Sequence, residues 1–77
     1  MPTIFRQGGF HFKINTNDHE PMHVHVWHQG GEIIIEFEND VIVRENNGFN
    51  RSEERRALLI IGEHQELFQN EWRRIHG

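Results

Sequence analysis

The stretch Asn17-Asp18-His19-Glu20-Pro21-Met22-His23-Val24-His25-Val26-Trp27 decides how this chain folds. Its first part, Asp18 to Pro21, is polar and turn-forming. From Met22 to His28 apolar residues alternate with histidine or tryptophan, the period-2 signature of a half-buried strand. Successive strand side chains point to opposite faces. His23, His25 and Trp27 are therefore expected on one face and Met22, Val24 and Val26 on the other, with a loop delivering His19 to the strand's start.

Working outward, Gln29-Gly30-Gly31 follows, and then Glu32 to Glu38, where Ile33, Ile35 and Phe37 alternate with Glu32, Ile34, Glu36 and Glu38. If Gly30-Gly31 is the two-residue turn, Val26 faces Ile35, Val24 faces Phe37 and His28 faces Ile33, all on one apolar side. The reverse side then sets Trp27 opposite Ile34, His25 opposite Glu36 and His23 opposite Glu38. A slip by one residue would send the valines to the glutamate side, which disfavours it. Upstream, Thr3–Arg6 and Gly9–Asn15 read as strands joined by a turn at Gln7-Gly8-Gly9, with Phe10, Phe12 and Ile14 facing the core. Downstream, 40–44 reads as a short last strand, with Val41 and Val43 alternating against Ile42, and Asn46-Asn47-Gly48 breaks the sheet.

Asn50 and Glu53 have capping-box spacing, so a helix is expected to begin there and run to about His76. Leu58, Ile61, Gln65, Phe68, Trp72 and Ile75 recur at intervals of three and four and form a stripe that can lie on the apolar sheet face. Leu59, Ile60 and Leu67 fall outside it, and Gly62 with His64 interrupts the middle. Either the helix kinks into two there, or the second apolar patch faces another subunit. The expectation is a single α+β domain over 1–77: a small antiparallel sheet of four to five strands, packed on one face by a C-terminal helix or kinked helix pair.

Seventy-seven residues bury a core that is only marginally sufficient, a size at which oligomerisation often completes the fold; a homodimer through Ile60 and Leu67, or through Trp27 and Ile34, is expected. The chain has no cysteine, which excludes disulfides and thiolate metal sites and fits a cytoplasmic location. No secretory leader and no run of roughly 20 apolar residues is visible, so no membrane association is expected. With 12 acidic and 8 basic side chains, bulk charge does not favour nucleic acid as a partner. Arg51, Arg55, Arg56, Arg73 and Arg74 read as solvating ion-pair partners of nearby glutamates.

The chemistry available is imidazole and carboxylate. Two histidines on one strand face stand about 7 Å apart at the backbone. His19 from the loop, with Asp18 or Glu36, could complete the three ligands of a catalytic zinc or manganese ion. His19, His23, His25 and Asp18 are thus the candidate catalytic residues, and His19, His23, His25 and Glu36 the candidate ligands of a divalent metal. The competing expectation is structural: Asp18 and His19 tie the loop to the strand, and His23 and His25 pair with Glu38 and Glu36. His11, His28, His64 and His76 read as surface residues.

Met1-Pro2-Thr3-Ile4, the block from Asn17 to Val26, the Gly48-Phe49-Asn50 lead-in to the helix, and Glu66-Leu67-Phe68 with Trp72 occur in the order of a known family. On these residues the chain resembles the small bacterial proteins of domain of unknown function 4160. Met22 stands where a second proline is common. The resemblance implies a compact α+β protein that belongs to a toxin–antitoxin-like two-gene module and acts on a protein partner encoded by a neighbouring gene. It brings no catalytic residue with it. Chemistry offers a function of another class, a histidine-based, metal-dependent hydrolase or nuclease.

Overall fold

The computed structural model describes residues 3–77; Met1 and Pro2 of the N-terminal segment quoted above lie outside them. Five strands, β1 (Thr3–Gln7), β2 (Phe10–Lys13), β3 (His23–His28), β4 (Gly31–Glu36) and β5 (Ile42–Asn47), precede two helices, α1 (Arg51–Glu63) and α2 (Gln65–His76). The strands form one antiparallel sheet in the order β1-β2-β3-β4-β5, an unbroken meander, so every sheet neighbour is a sequence neighbour. The fold is α+β, as the sequence pattern anticipates.

Two tight turns of the same kind close the first and third hairpins. Gly8 and Gly9 have φ of +58° and +82°, and Gln29 and Gly30 have +47° and +82°. Paired positive φ values match the right-handed twist of the flanking strands. The second turn is therefore Gln29-Gly30, not Gly30-Gly31, and Gly31 enters β4 opposite His28. This corrects the expected register by two residues: Val26 pairs with Ile33, Val24 with Ile35, His25 with Ile34, Trp27 with Glu32 and His23 with Glu36. A shift of two preserves side-chain parity, so each face keeps its residues while every partner changes. Gly31 has a separate reason to be glycine, since a Cβ there would lie 3.0 Å from the Gly48 carbonyl carbon.

Phe10, Phe12, Ile14, Val24, Val26, Ile33, Ile35 and Phe37 are wholly buried on one sheet face, against Ala57, Ile61, Phe68 and Trp72 of the helices. The Asn50–Glu53 capping box forms as its spacing implies: Glu53 N–H donates to Asn50 Oδ1 at 2.8 Å and Asn50 N–H to Glu53 Oε1 at 2.9 Å. The helical run divides at His64, whose N–H donates to both the Ile60 and Ile61 carbonyls. Gly62 remains helical. The division turns Ile60 into the core, 7% exposed, whereas Leu67 stays out at 40%; the expected outward pair is thus reduced to one of its members. Gln65 and Gln69 donate amide hydrogens to the Phe37, Glu38 and Asn39 carbonyls, tying α2 to the chain after β4. β5 runs to Asn47, three residues past its expected end, pairing Asn47 with Glu32 and Asn46 with Ile33.

Candidate metal centre

The sheet face away from the helices carries His11, Lys13, His23, His25, Trp27, Glu32, Ile34 and Glu36. At one end of it the 14–22 loop folds back, its turn closed by the Asp18 N–H donating to the Asn15 carbonyl at 3.2 Å. That turn directs the Asp18 carboxylate over the β3 histidines. Asp18 Oδ2 lies 3.2 Å from His23 Nε2 and 3.1 Å from His25 Nε2, and one donor atom from each of the three residues falls within 4.8 Å of the others. Burial is graded: the side chains of His23, His25 and Asp18 are 6%, 17% and 19% exposed. Trp72 of α2 covers His23, with ring centroids 5.5 Å apart, and leaves the His25 side open.

The outer nitrogens determine what the inner ones can do. His23 Nδ1 donates to the Pro21 carbonyl at 2.9 Å, and His25 Nδ1 donates to Glu32 Oε2 at 3.0 Å. Both acceptors can only accept, so each Nδ1 carries the hydrogen and each neutral ring presents an Nε2 lone pair. Two such lone pairs and a carboxylate oxygen then converge on one point. The convergence is favourable when the rings are protonated or when a cation lies among them. Separations of 3.1–3.2 Å are those of N–H···O hydrogen bonds and also stand close to the about 3.3 Å between ligands held about 2.0–2.1 Å from a tetrahedral zinc, so the same arrangement accommodates either. The Nδ1 acceptors are the outer partners that orient metal-bound histidines elsewhere.

Of the residues singled out in the sequence, Asp18, His23 and His25 are brought together. His19 is exposed in the loop and stands outside this set. Glu36 is opposite His23 in register, but its carboxylate meets Arg44 Nε at 3.5 Å. The expected pairings of His25 with Glu36 and His23 with Glu38 are replaced by Glu32 and Asp18, and Glu38 Oε1 instead accepts the Met22 N–H at 3.4 Å. Glu32 was missed for the reason the register was: with Gln29-Gly30 as the turn it stands opposite Trp27, one diagonal step from His25. His28, read as a surface residue, stacks on Phe10 at 4.1 Å, donates from Nδ1 to the Gly9 carbonyl, and has Nε2 3.4 Å from Glu53 Oε2. It closes the turn end of the core over the start of α1.

A helix-backed antiparallel meander with a two-histidine, one-carboxylate cluster on its open face defines the class of this domain. The family model described as domain of unknown function (DUF4160) matches residues 9–73, and the chain belongs to that family. No curated protein and no solved structure matches it. Among the described residues, no helix is long and apolar enough to cross a membrane.

Proposed function

We propose that the domain binds one divalent cation, zinc or manganese, through Asp18 Oδ2, His23 Nε2 and His25 Nε2, and uses it for hydrolysis. The observation that carries this reading is the pair of Nε2 atoms 3.2 and 3.1 Å from a single carboxylate oxygen, with both Nδ1 atoms held by acceptors. Three protein ligands leave a coordination position for water, whose pKa falls towards 7 on such a metal. The open side at His25 is where a substrate would enter. Purification without chelator, followed by elemental analysis, is expected to give one equivalent of zinc or manganese in the wild type and none in His23→Ala or His25→Ala. A metal-free wild type that takes up neither ion on addition would refute the site. Stoichiometric iron would turn the reading from hydrolysis towards oxygen chemistry, for which this donor set is also suited.

A second reading is a protein-binding member of a two-gene, toxin–antitoxin-like module that also self-associates. It is supported by exposed large apolar side chains: Leu59 at 60%, Leu67 at 40% and Ile42 at 52%. Co-expression with the product of the adjacent gene is expected to co-purify the pair, and failure to do so would count against the module.

A further inference from the structure

Trp27 is 40% exposed on the middle strand of an uncovered sheet face, while the only other tryptophan, Trp72, is 3% exposed. Lys13 Nζ lies over the Trp27 ring, 5.7 Å from its centroid. Among the described residues, Lys13 is in no salt bridge, whereas Glu32 is engaged by His25 and Glu36 by Arg44. Arg6, His11, Trp27 and Glu32 follow one another across the strands in a single row. Two open grooves, of about 250 and 200 Å³, share Lys13 and Trp27; the first reaches Gly9 and Gly30, and the second reaches His25. End to end, the two grooves make a trough from the turn glycines, past an indole with an ammonium over its ring, to His25, the more exposed histidine of the cluster.

We infer that this trough binds a single-stranded oligonucleotide, with a base on Trp27 and its phosphate at Lys13, so that the bond presented to the metal centre is a phosphodiester. Every base has a π-face, and an accessible aromatic beside a cation is the sequence-tolerant means of holding one. Locally the net charge of −4 is offset by Lys13, which lines the trough, and by Arg6 in the same cross-strand row; Glu36 is paired with Arg44, whereas Glu32, hydrogen-bonded to a neutral His25, keeps its charge. From Trp27 to His25 is two strand residues, about 7 Å, so a nucleotide stacked on the indole has its neighbouring phosphate beside the cluster. In the reaction the oxygen of water bonds to phosphorus and the P–O bond to the departing nucleoside oxygen breaks. The proton released by the water reaches that oxygen through solvent, and nothing is oxidised or reduced. The chemistry rests on the metal reading above; the binding does not.

The test is therefore run first in EDTA. Short oligouridylate and oligothymidylate are titrated into the intact protein at low salt, with binding read from quenching of tryptophan emission and from the anisotropy of end-labelled oligomer. Saturable quenching is expected, with affinity weakened about tenfold or more in Trp27→Ala and in Lys13→Ala. Lys13→Ala should also lower the slope of log K against log salt by about one. The side chains of Lys13 and Trp27 lie outside the core, and circular dichroism checks that each variant folds. Absence of binding to both oligomers, or binding that both variants leave unchanged, would overturn the inference. Trp27 shielded from a soluble quencher in the free protein would overturn it too, in favour of a second copy or a protein on this face. Binding in EDTA by a chain that takes no metal would sustain the trough and remove the hydrolytic reading. Metal uptake without oligomer binding would do the reverse. Adding manganese or zinc to the two oligomers then distinguishes RNA from DNA as the polymer cut.

Discussion

At the scale of single residues, one carboxylate oxygen holds two imidazoles, and the roles of the carboxylates around it differ. Asp18 meets both Nε2 atoms, Glu32 accepts from His25 Nδ1, and Glu36 is turned to Arg44. If the cluster is a metal centre, Asp18→Asn should abolish stoichiometric binding. Glu32→Gln, which keeps the shape but weakens the acceptor that orients His25, should lower affinity about 10–100-fold. Glu36→Gln should leave it unchanged. Titration calorimetry with zinc distinguishes the three. Equal losses in Glu32→Gln and Glu36→Gln would mean that the general negative field of the face, rather than directed contacts, sets affinity. Bound metal also stabilises the folded state: at a free concentration about 100 times Kd it should contribute about 2.7 kcal/mol, seen as a rise in Tm that Asp18→Asn lacks.

At the scale of elements, two glycines that look alike in the sequence have opposite roles. Gly31 begins β4 against the chain at Gly48; an added Cβ would meet backbone at 3.0 and 3.1 Å and the Phe49 ring at 3.1 Å. Backbone on both sides cannot give way as a flexible side chain could, so Gly31→Ala should cost about 1–3 kcal/mol. Gly62 lies inside α1 with nothing within 4 Å of where its Cβ would be. Gly62→Ala should therefore stabilise the protein by about 0.5–1 kcal/mol, through helix propensity and a less free unfolded chain. Asn50→Ala removes one half of a formed capping box and should cost about 1 kcal/mol. Urea unfolding monitored by far-ultraviolet circular dichroism measures all three, and a destabilised Gly62→Ala would show that the break at His64 depends on strain two residues earlier.

At the scale of the whole molecule, the helices cover one sheet face and, apart from Trp72 reaching His23, leave the other open, which is what makes room for a site on so small a domain. The same economy leaves Leu59 and Leu67 exposed on the helices. Burying such side chains is worth about 1.5–3 kcal/mol each, enough for a two-fold contact to offset part of the entropy of association. The expected result is a homodimer by light scattering at high micromolar concentration, reverting to monomer in Leu67→Glu. Monomer mass for both proteins would leave the self-association reading without support. A dimer through the helices keeps the sheet face and Trp27 free.

What the sequence by itself determined was strand parity, the start of the first helix and part of the helices' buried side, while the turn at Gly30 and the burial of Ile60 lay beyond it. Alternation assigned Val24 and Val26 to the core and His25 and Trp27 to the other face, the Asn50–Glu53 spacing marked the start of α1, and the spacing of three and four marked Phe68 and Trp72 as the helix's buried side. Tertiary structure decided what depends on the meeting of distant segments. The turn takes Gln29 and Gly30, and Gly31 in β4 lies against Gly48, 17 positions downstream, an approach that no local pattern encodes. That choice moved the register by two, exchanged Glu36 for Glu32 beside His25, and preserved both faces because strand parity has period two. Asp18 rather than His19 reaches the β3 histidines because the turn closed on Asn15 aims one side chain inward and leaves its neighbour in solvent.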